Sequence, residues 1–293
     1  MKVDVTSDLH VDFWIDVKKP ATKQKKLITE WIANLLPEAP SDVIVIAGDI
    51  GHYNWQNKIL FDVLRKTYKK VIWTSGNHDL YMISHSIRDQ FNGNSFERLG
   101  NMIALANAID GVHYLDGTTI QIGDFTIGGG SAWYDGSYAK EKYKYGDSDI
   151  RALWRASMND ANLIYDPRNT LHGILNIFEH ANQENAKLDN IYDKCDLVVT
   201  HIAPDWHHIV GKYETTTTAF YCFDGREMLK GMKPNAHWLF GHTHDLFYYE
   251  HPSGPTMVCN PLGYPYNGLD ITRRKFKTIE LGVPPPSYAD IFT

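Results

Sequence analysis

The feature of this 293-residue chain that most restricts its fold is a set of short apolar runs, each broken off by a polar corner carrying metal-type donors. Runs rich in β-branched or aromatic residues occur at Val3 to Thr6, Val43 to Ala47, Val71 to Thr74, Leu197 to Thr200 and Trp238 to Phe240. Their shortness and composition predict buried strands. In chain order they lead into Asp8-Leu9-His10, Gly48-Asp49, Gly76-Asn77-His78-Asp79, His201 and Gly241-His242-Thr243-His244. In open α/β sheets ligands bind beyond the carboxyl ends of the strands, so donors far apart in sequence converge at one edge. Carboxylates, imidazoles and a side-chain amide, with no thiolate, suit first-row divalent ions such as Mn, Fe, Zn, Co or Ni. One carboxylate can bridge two ions that clamp a phosphate, and Asp49 is the candidate bridge.

Between the first two runs, Leu27, Ile28, Trp31, Ile32, Leu35 and Leu36 recur at helical spacing until Pro37 and Pro40 end the pattern. A second helix is predicted over residues 59 to 68, and a long one over 171 to 192 from Leu171, Ile174, Leu175, Phe178, Leu188 and Ile191. This alternation favours a layered α/β fold. Residues 112 to 130, punctuated by Asp116-Gly117, Gly123-Asp124 and Gly128-Gly129-Gly130, predict antiparallel hairpins and a second sheet. Residues 133 to 169 are dense in Tyr, Trp and charge and read as an insertion or cap, with a helix at Ile150 to Met158. No repeat or long linker interrupts the chain, so a single domain over 1–293 is expected.

The 29 Lys and Arg against 35 Asp and Glu give a formal charge of −6, which argues against extended nucleic acid as a partner because backbone binding requires a basic face. No run reaches the roughly 18 apolar residues of a membrane helix. Asp4, Asp8 and Asp12 stand where an export signal needs its apolar region, so a cytoplasmic location is expected. Cys195, Cys222 and Cys259 are scattered and read as reduced.

Taken together and in order, the motifs from Asp8 to His244 resemble the full series of the calcineurin-like metallophosphoesterases. Cys259-Asn260-Pro261-Leu262-Gly263-Tyr264 is similar to the Asn-Pro-x-Gly-Tyr segment of small bacterial and phage members. The resemblance implies a four-layer αββα sandwich, two mixed β-sheets flanked by helices, with a dinuclear centre at the strand ends. It implies that Asp8, His10, Asp49 and His244 hold one divalent ion, that Asp49, Asn77, His201 and His242 hold the second, and that His78 faces the substrate. Manganese is the first expectation for the ions. Such a centre lowers the pKa of a bridging water, giving a hydroxide that attacks phosphorus, while His78 hydrogen-bonds the phosphoryl group or protonates the departing oxygen. The expected substrate is a small phosphodiester or phosphomonoester, nucleotides included.

The chain departs from the family pattern at two places. Many relatives have an acid three residues after the bridging Asp, where it can orient the catalytic His; this chain has His52. The protein phosphatases follow that acid with Arg and end the Asn-His motif in Glu, where this chain has Tyr53 and Asp79, which lowers a protein-phosphatase reading.

Any single motif is a turn feature on its own, Asn77 next to Gly76 included. His52 is expected either to touch substrate or to pack beside Asp49. His207 and His208 read as a solvated loop, and Thr215 to Thr218 as an exposed one. Trp133, Tyr134, Tyr138, Trp154, Phe220, Tyr221, Tyr264 and Tyr266 read mainly as core, with a base-stacking platform as the sharper alternative and Tyr264 favoured for it. The competing functions are a metal-dependent nuclease, a non-catalytic scaffold on the same fold and a zinc amidohydrolase, which the Gly-Asn-His and Gly-His-x-His motifs fit poorly.

Overall fold

A computed structural model describes residues 1–168, 173–207, 209, 214–265 and 274–283. All five predicted runs form strands, and their period-two alternation sorts side chains onto two faces. β1 (Lys2–Thr6), β2 (Val43–Ala47), β3 (Lys70–Thr74) and β4 (Val112–Tyr114) lie parallel in one sheet. A second sheet contains β5 (Thr118–Ile122), β6 (Phe125–Gly129), β7 (Leu197–Val199), β8 (His237–Phe240), β9 (Phe247–Glu250) and β10 (Thr256–Cys259) in the order β5-β6-β7-β8-β10-β9. Its middle is parallel, and β5 and β9 close the edges antiparallel. β11 (Lys277–Glu280) joins β1 antiparallel, with Lys2 opposite Glu280, so both sheets are mixed.

The sheets pack face to face through Val3, Val5, Val43, Val45 and Ile72 on one side and Leu197, Val199, Leu239 and Val258 on the other. The intervening Ile44, Ile46, Val71 and Trp73 meet helices Ala21–Leu35, Asn54–Leu64 and Ser95–Asn107. Val198, Trp238, Phe240 and Met257 meet helices Ser137–Tyr143, Asp147–Ser157 and Ile177–Ala186. The result is the four-layer αββα sandwich, and strands covered on both faces explain why their sequences run apolar without alternation. Helix Ala21–Leu35 buries Ile28, Trp31, Ile32 and Leu35 on one stripe; it stops where Leu36, preceding Pro37, turns extended (φ −62°, ψ 141°).

Two predicted elements differ. The long helix over 171 to 192 is only Ile177–Ala186: Gly173 adopts φ 73° and Ile174 pairs with Tyr165 in an isolated bridge, so apolar residues at helical spacing pack from irregular backbone. Leu171 lies outside the described residues. Residues 112–114 do not open a hairpin; helix Ser95–Asn107 carries the chain over the first sheet and returns it parallel to β3, and the hairpin starts at β5. Among the described residues no helix is long and apolar enough to cross a membrane.

Candidate metal centre

Where β1, β2 and β8 end, the chain turns through left-handed angles at residues other than glycine: Asp8 (φ 51°), His10 (43°), Asp49 (56°), His242 (65°) and His244 (56°). Such angles are uncommon outside glycine, and their concentration at one place marks backbone held for a purpose. The turns brace one another: Asp8 N–H donates to Gly48 O at 3.0 Å, His10 N–H to Asp49 O at 3.0 Å, and Gly241 N–H to His201 O at 2.9 Å. At Gly76 a Cβ would run into the Asp49 carboxylate and lie 2.7 Å from His201 Nε2, so the close approach requires glycine.

These turns bring all eight predicted site residues to one edge. Ligand atoms of Asp8, His10 and His244 lie within 4.8 Å of one another, as do those of Asp8, Asp49 and His201, and those of His10, Asp49 and His78. His244 Nε2 is 3.3 Å from Asp8 Oδ1 and 3.2 Å from His10 Nε2. Asp49 Oδ2 lies 3.4 Å from His201 Nε2 and 3.7 Å from His10 Nε2. Asn77 Oδ1 is 3.1 Å from both His201 Nε2 and His242 Nδ1. The opposite ring nitrogens are tied to backbone, His201 Nδ1 to Ala47 O at 2.8 Å and His242 Nε2 to Phe220 O at 3.0 Å. Those carbonyls can accept from His201 Nδ1–H and His242 Nε2–H, and they hold the rings with His201 Nε2 and His242 Nδ1 turned inward.

The donors fit a pair of divalent cations. Asp8 and Asp49 are almost completely buried. Burial alone would raise both carboxyls, but His244 beside Asp8, and His201 and His78 beside Asp49, hold them well below the usual range. His201 shows the converse: burial pulls it down, yet the Asp49 charge pushes it up to about 10. The imidazole takes up positive charge to balance buried carboxylates, a balance that bound divalent ions would supply. Burial lowers His78 and His242 to about 4, leaving them neutral donors at neutral pH.

Four further residues hold this centre; Asp79 stands at the end of the Asn-His motif, and no motif spacing marked the other three. Asp79 accepts the backbone N–H of Asp49 at 2.9 Å, of Ile50 at 3.1 Å and of Gly76 at 2.8 Å, locking two turns together. The fully buried Arg98 donates to backbone oxygens of Gly51, His52, His78 and Asp79. Asp160, at the start of helix Asp160–Leu163, accepts Asn77 Nδ2–H at 2.8 Å and the hydroxyls of Tyr81 and Tyr134. This orients Asn77 with its oxygen toward the imidazoles. Asp12 binds His52, which in turn contacts His78.

A cavity of about 260 Å³ opens onto Asp49, Asn77, His78, His242 and His244, walled by Tyr264 and by Ser157, Met158 and Asn159. Tyr264 stacks on His10 with ring centroids 4.5 Å apart and its hydroxyl is 3.0 Å from His78 Nε2. Trp133, Tyr134, Tyr138, Trp154 and Phe220 are buried core, while Tyr221 lines the cavity. His207 packs against His251 in a separate depression, and His208 and Tyr266 lie outside the described residues. The Thr run is no plain exposed loop: Thr216–Phe220 form a 3-10 turn that buries Thr218.

Comparison with known proteins agrees with this geometry. The Mycobacterium tuberculosis acyl-carrier-protein phosphodiesterase PptH is 29% identical over 108 residues, 37% of this chain and 33% of that relative, so the matched part spans a third of its length. Uncharacterized protein L509 of Acanthamoeba polyphaga mimivirus is 24% identical over 262 residues, 79% of this chain and 85% of its own. The crystal structure of the M. tuberculosis phosphopantetheinyl hydrolase PptH shares the fold, with a TM-score of 0.68 at 16% identity over 98% of this chain and 97% of that one. The pattern of the calcineurin-like phosphoesterases matches residues 1–246, which takes in every strand-end donor described above. With donors, fold and family pattern in agreement, the chain belongs to the calcineurin-like phosphoesterase family.

Proposed function

We propose that this chain hydrolyses small phosphate esters, with phosphodiesters the first class to test, at a centre of two divalent ions. Asp8, His10, Asp49 and His244 would hold one ion and Asp49, Asn77, His201 and His242 the other. The observation that carries the reading is the place of Asp49, whose carboxylate belongs to both the His10 and the His201 donor groups. When bound, two such ions neutralise phosphate charge and render water acidic enough to act as a nucleophile at neutral pH. The chain's own residues do the rest. Asn77 and the inward-facing nitrogens of His201 and His242 set the geometry, and His78, beside the cavity, hydrogen-bonds the phosphoryl group or gives a proton to the departing oxygen. The name of the PptH relative, a phosphodiesterase, supports testing diesters first. Manganese is the preferred ion in this reading, and the whole chain acts as one domain with residues 133–169 as an insertion over the site.

The test is hydrolysis of bis-p-nitrophenyl phosphate and p-nitrophenyl phosphate by chelator-stripped protein restored with Mn, Fe, Zn, Ni, Co or Mg, beside Asp49→Ala. Ion-dependent turnover that is lost in the variant is expected, and the preferred ester directs a screen of nucleotides and other esters. Full ion content with no turnover of either ester under any ion would overturn the reading for small aryl esters.

A further inference from the structure

A second cavity, of about 430 Å³, adjoins the one at the centre, and the two share Tyr221 and Thr243. That volume falls in the range of small-molecule pockets, about 300–1,000 Å³. Its wall draws on two stretches already tied to the donors. Thr217 and Thr218 belong to the 3-10 turn Thr216–Phe220, which Thr215 precedes, while Thr243, Asp245 and Phe247 lie where the chain runs from His242 and His244 into β9. Phe220 O holds His242 Nε2 at 3.0 Å, and the Tyr221 and His242 ring centroids are 5.1 Å apart. These contacts fix the second cavity beside the His242 flank of the centre.

His78 stands on another flank, where its Nε2 is 3.0 Å from the Tyr264 hydroxyl and Tyr264 stacks on His10. With His78 serving the departing oxygen, the second cavity receives the part of the ester that stays on phosphorus. The chemistry of the wall says what that part is. Four of its side chains are threonines. A hydroxyl can donate one bond and accept two, so the Thr215 and Thr217 hydroxyls, paired at 2.8 Å, have capacity beyond their own bond. Ile209, Tyr221 and Phe247 add apolar and aromatic faces. Asp245 is the one charged side chain among the described residues of the wall, and an anionic substituent would have to approach it. Arg274 feels the Asp245 charge from outside the wall, and its guanidinium donates to Pro261 O at 2.9 Å.

We propose that this second cavity is a specificity pocket for the retained substituent of a phosphodiester, and that it takes an uncharged chain or ring carrying hydroxyl groups. The proposal rests on the phosphoesterase reading. Thr217, half-buried on the turn, is its selecting residue.

The test uses the ion-loaded full chain and p-nitrophenyl phosphodiesters whose second group is ethyl, hexyl, ω-hydroxyhexyl or ω-carboxypentyl. In each, the oxygen of water bonds to phosphorus, p-nitrophenolate departs with the electron pair of its P–O bond, the alkyl phosphate remains and the protons of the water pass to buffer. The kcat/KM for the ω-hydroxyhexyl ester exceeds that for the ethyl ester by about tenfold or more, the scale on which a pocket tells chain lengths apart. The hexyl ester lies between them, and the ω-carboxypentyl ester falls to the ethyl level or below. In Thr217→Trp, whose indole fills the cavity, the ratio of ω-hydroxyhexyl to ethyl falls toward one with ion content unchanged by metal analysis. In Thr217→Val the lead of ω-hydroxyhexyl over hexyl shrinks by about two- to tenfold, the net worth of one hydrogen bond.

Equal kcat/KM for the ethyl and ω-hydroxyhexyl esters, a carboxylate accepted as well as a hydroxyl, or a ratio that survives in Thr217→Trp would each overturn the proposal. If Thr217→Trp does not fold, the parent ratios and Thr217→Val decide. If no ester is hydrolysed with any ion, the phosphoesterase reading fails for these substrates, and calorimetry with ω-hydroxyhexyl phosphate and ethyl phosphate still tests the cavity. Binding of the former tighter by about tenfold supports the pocket; equal affinities overturn it.

Discussion

Asp49 combines a left-handed backbone, two imidazole contacts through Oδ2 and a hydrogen bond from the His78 N–H to Oδ1 at 2.9 Å. Asparagine could take the backbone angle but not the charge, and a longer acid would displace the turn. Asp49→Ala is therefore expected to carry neither ion, measured by metal analysis after gel filtration; a variant still holding two ions would remove Asp49 as the bridge. Gly76→Ala should also lose ions, because its methyl group competes for space with the Asp49 carboxylate and the His201 ring. The donors were legible because each follows a recognisable apolar run. Asp12, Arg98 and Asp160 were not, nor was the bracing role of Asp79 at the end of its motif, because these residues act through hydrogen bonds to residues distant in sequence or to backbone, and neither relation leaves a spacing to read.

Residues 133–169 form the part of the chain whose role was least visible. Its helix at Asp147–Ser157 matches the predicted Ile150 to Met158 within a turn, yet its aromatic sequence gave no sign that Asp160 beyond it reaches Asn77. The buried Asp160 carboxylate gathers an amide and two phenols, and so links residues 133–169 to the floor of the cavity. Asp160→Asn is expected to lower affinity for one ion by about ten- to a hundredfold while sparing the other. Stepwise metal titration checks this, and equal weakening of both ions would show a general loss of fold. The predicted helix over 171 to 192 failed for a related reason: apolar spacing reports which residues face a core, and irregular backbone around Gly173 can satisfy the same spacing.

At the scale of the whole molecule, layers and sheet-to-sheet core were legible from buried runs, while the pairing of β4 and β11 needed the three-dimensional path of the chain. Asn260 ties the sheets near the centre: its Nδ2–H donates to Val5 O at 2.9 Å, and its carbonyl accepts from Ser7 N–H at 3.1 Å. Because the donors come from both sheets, ion binding should stabilise the fold. At an ion concentration a hundred times the dissociation constant the expected gain is about 2.7 kcal/mol, seen as a raised melting temperature that a chelator reverses. Acid should act oppositely through His180, wedged between Trp133 and Phe96 at 4.7 and 5.5 Å. Burial lowers its pKa from 6.5 to about 3, so below pH 6.5 the unfolded chain takes a proton that the folded chain refuses. Its contribution is full above that pH and falls as pH drops toward 3. The urea midpoint should decline across this window, and less steeply in His180→Leu; identical slopes would exclude His180 as the cause.

The pairs Asp8 with His10 and His242 with His244 stand near opposite ends of the family-matched region, 1–246, yet meet with Asp8 Oδ1 3.3 Å from His244 Nε2. During synthesis the first pair leaves the ribosome long before the second exists. The nascent chain thus owns only half a chelate until both sheets have closed, and it cannot retain a scavenged ion tightly before then. In the two-ion reading, which metal is acquired would accordingly be settled at the close of folding, by whatever ions surround the finished protein.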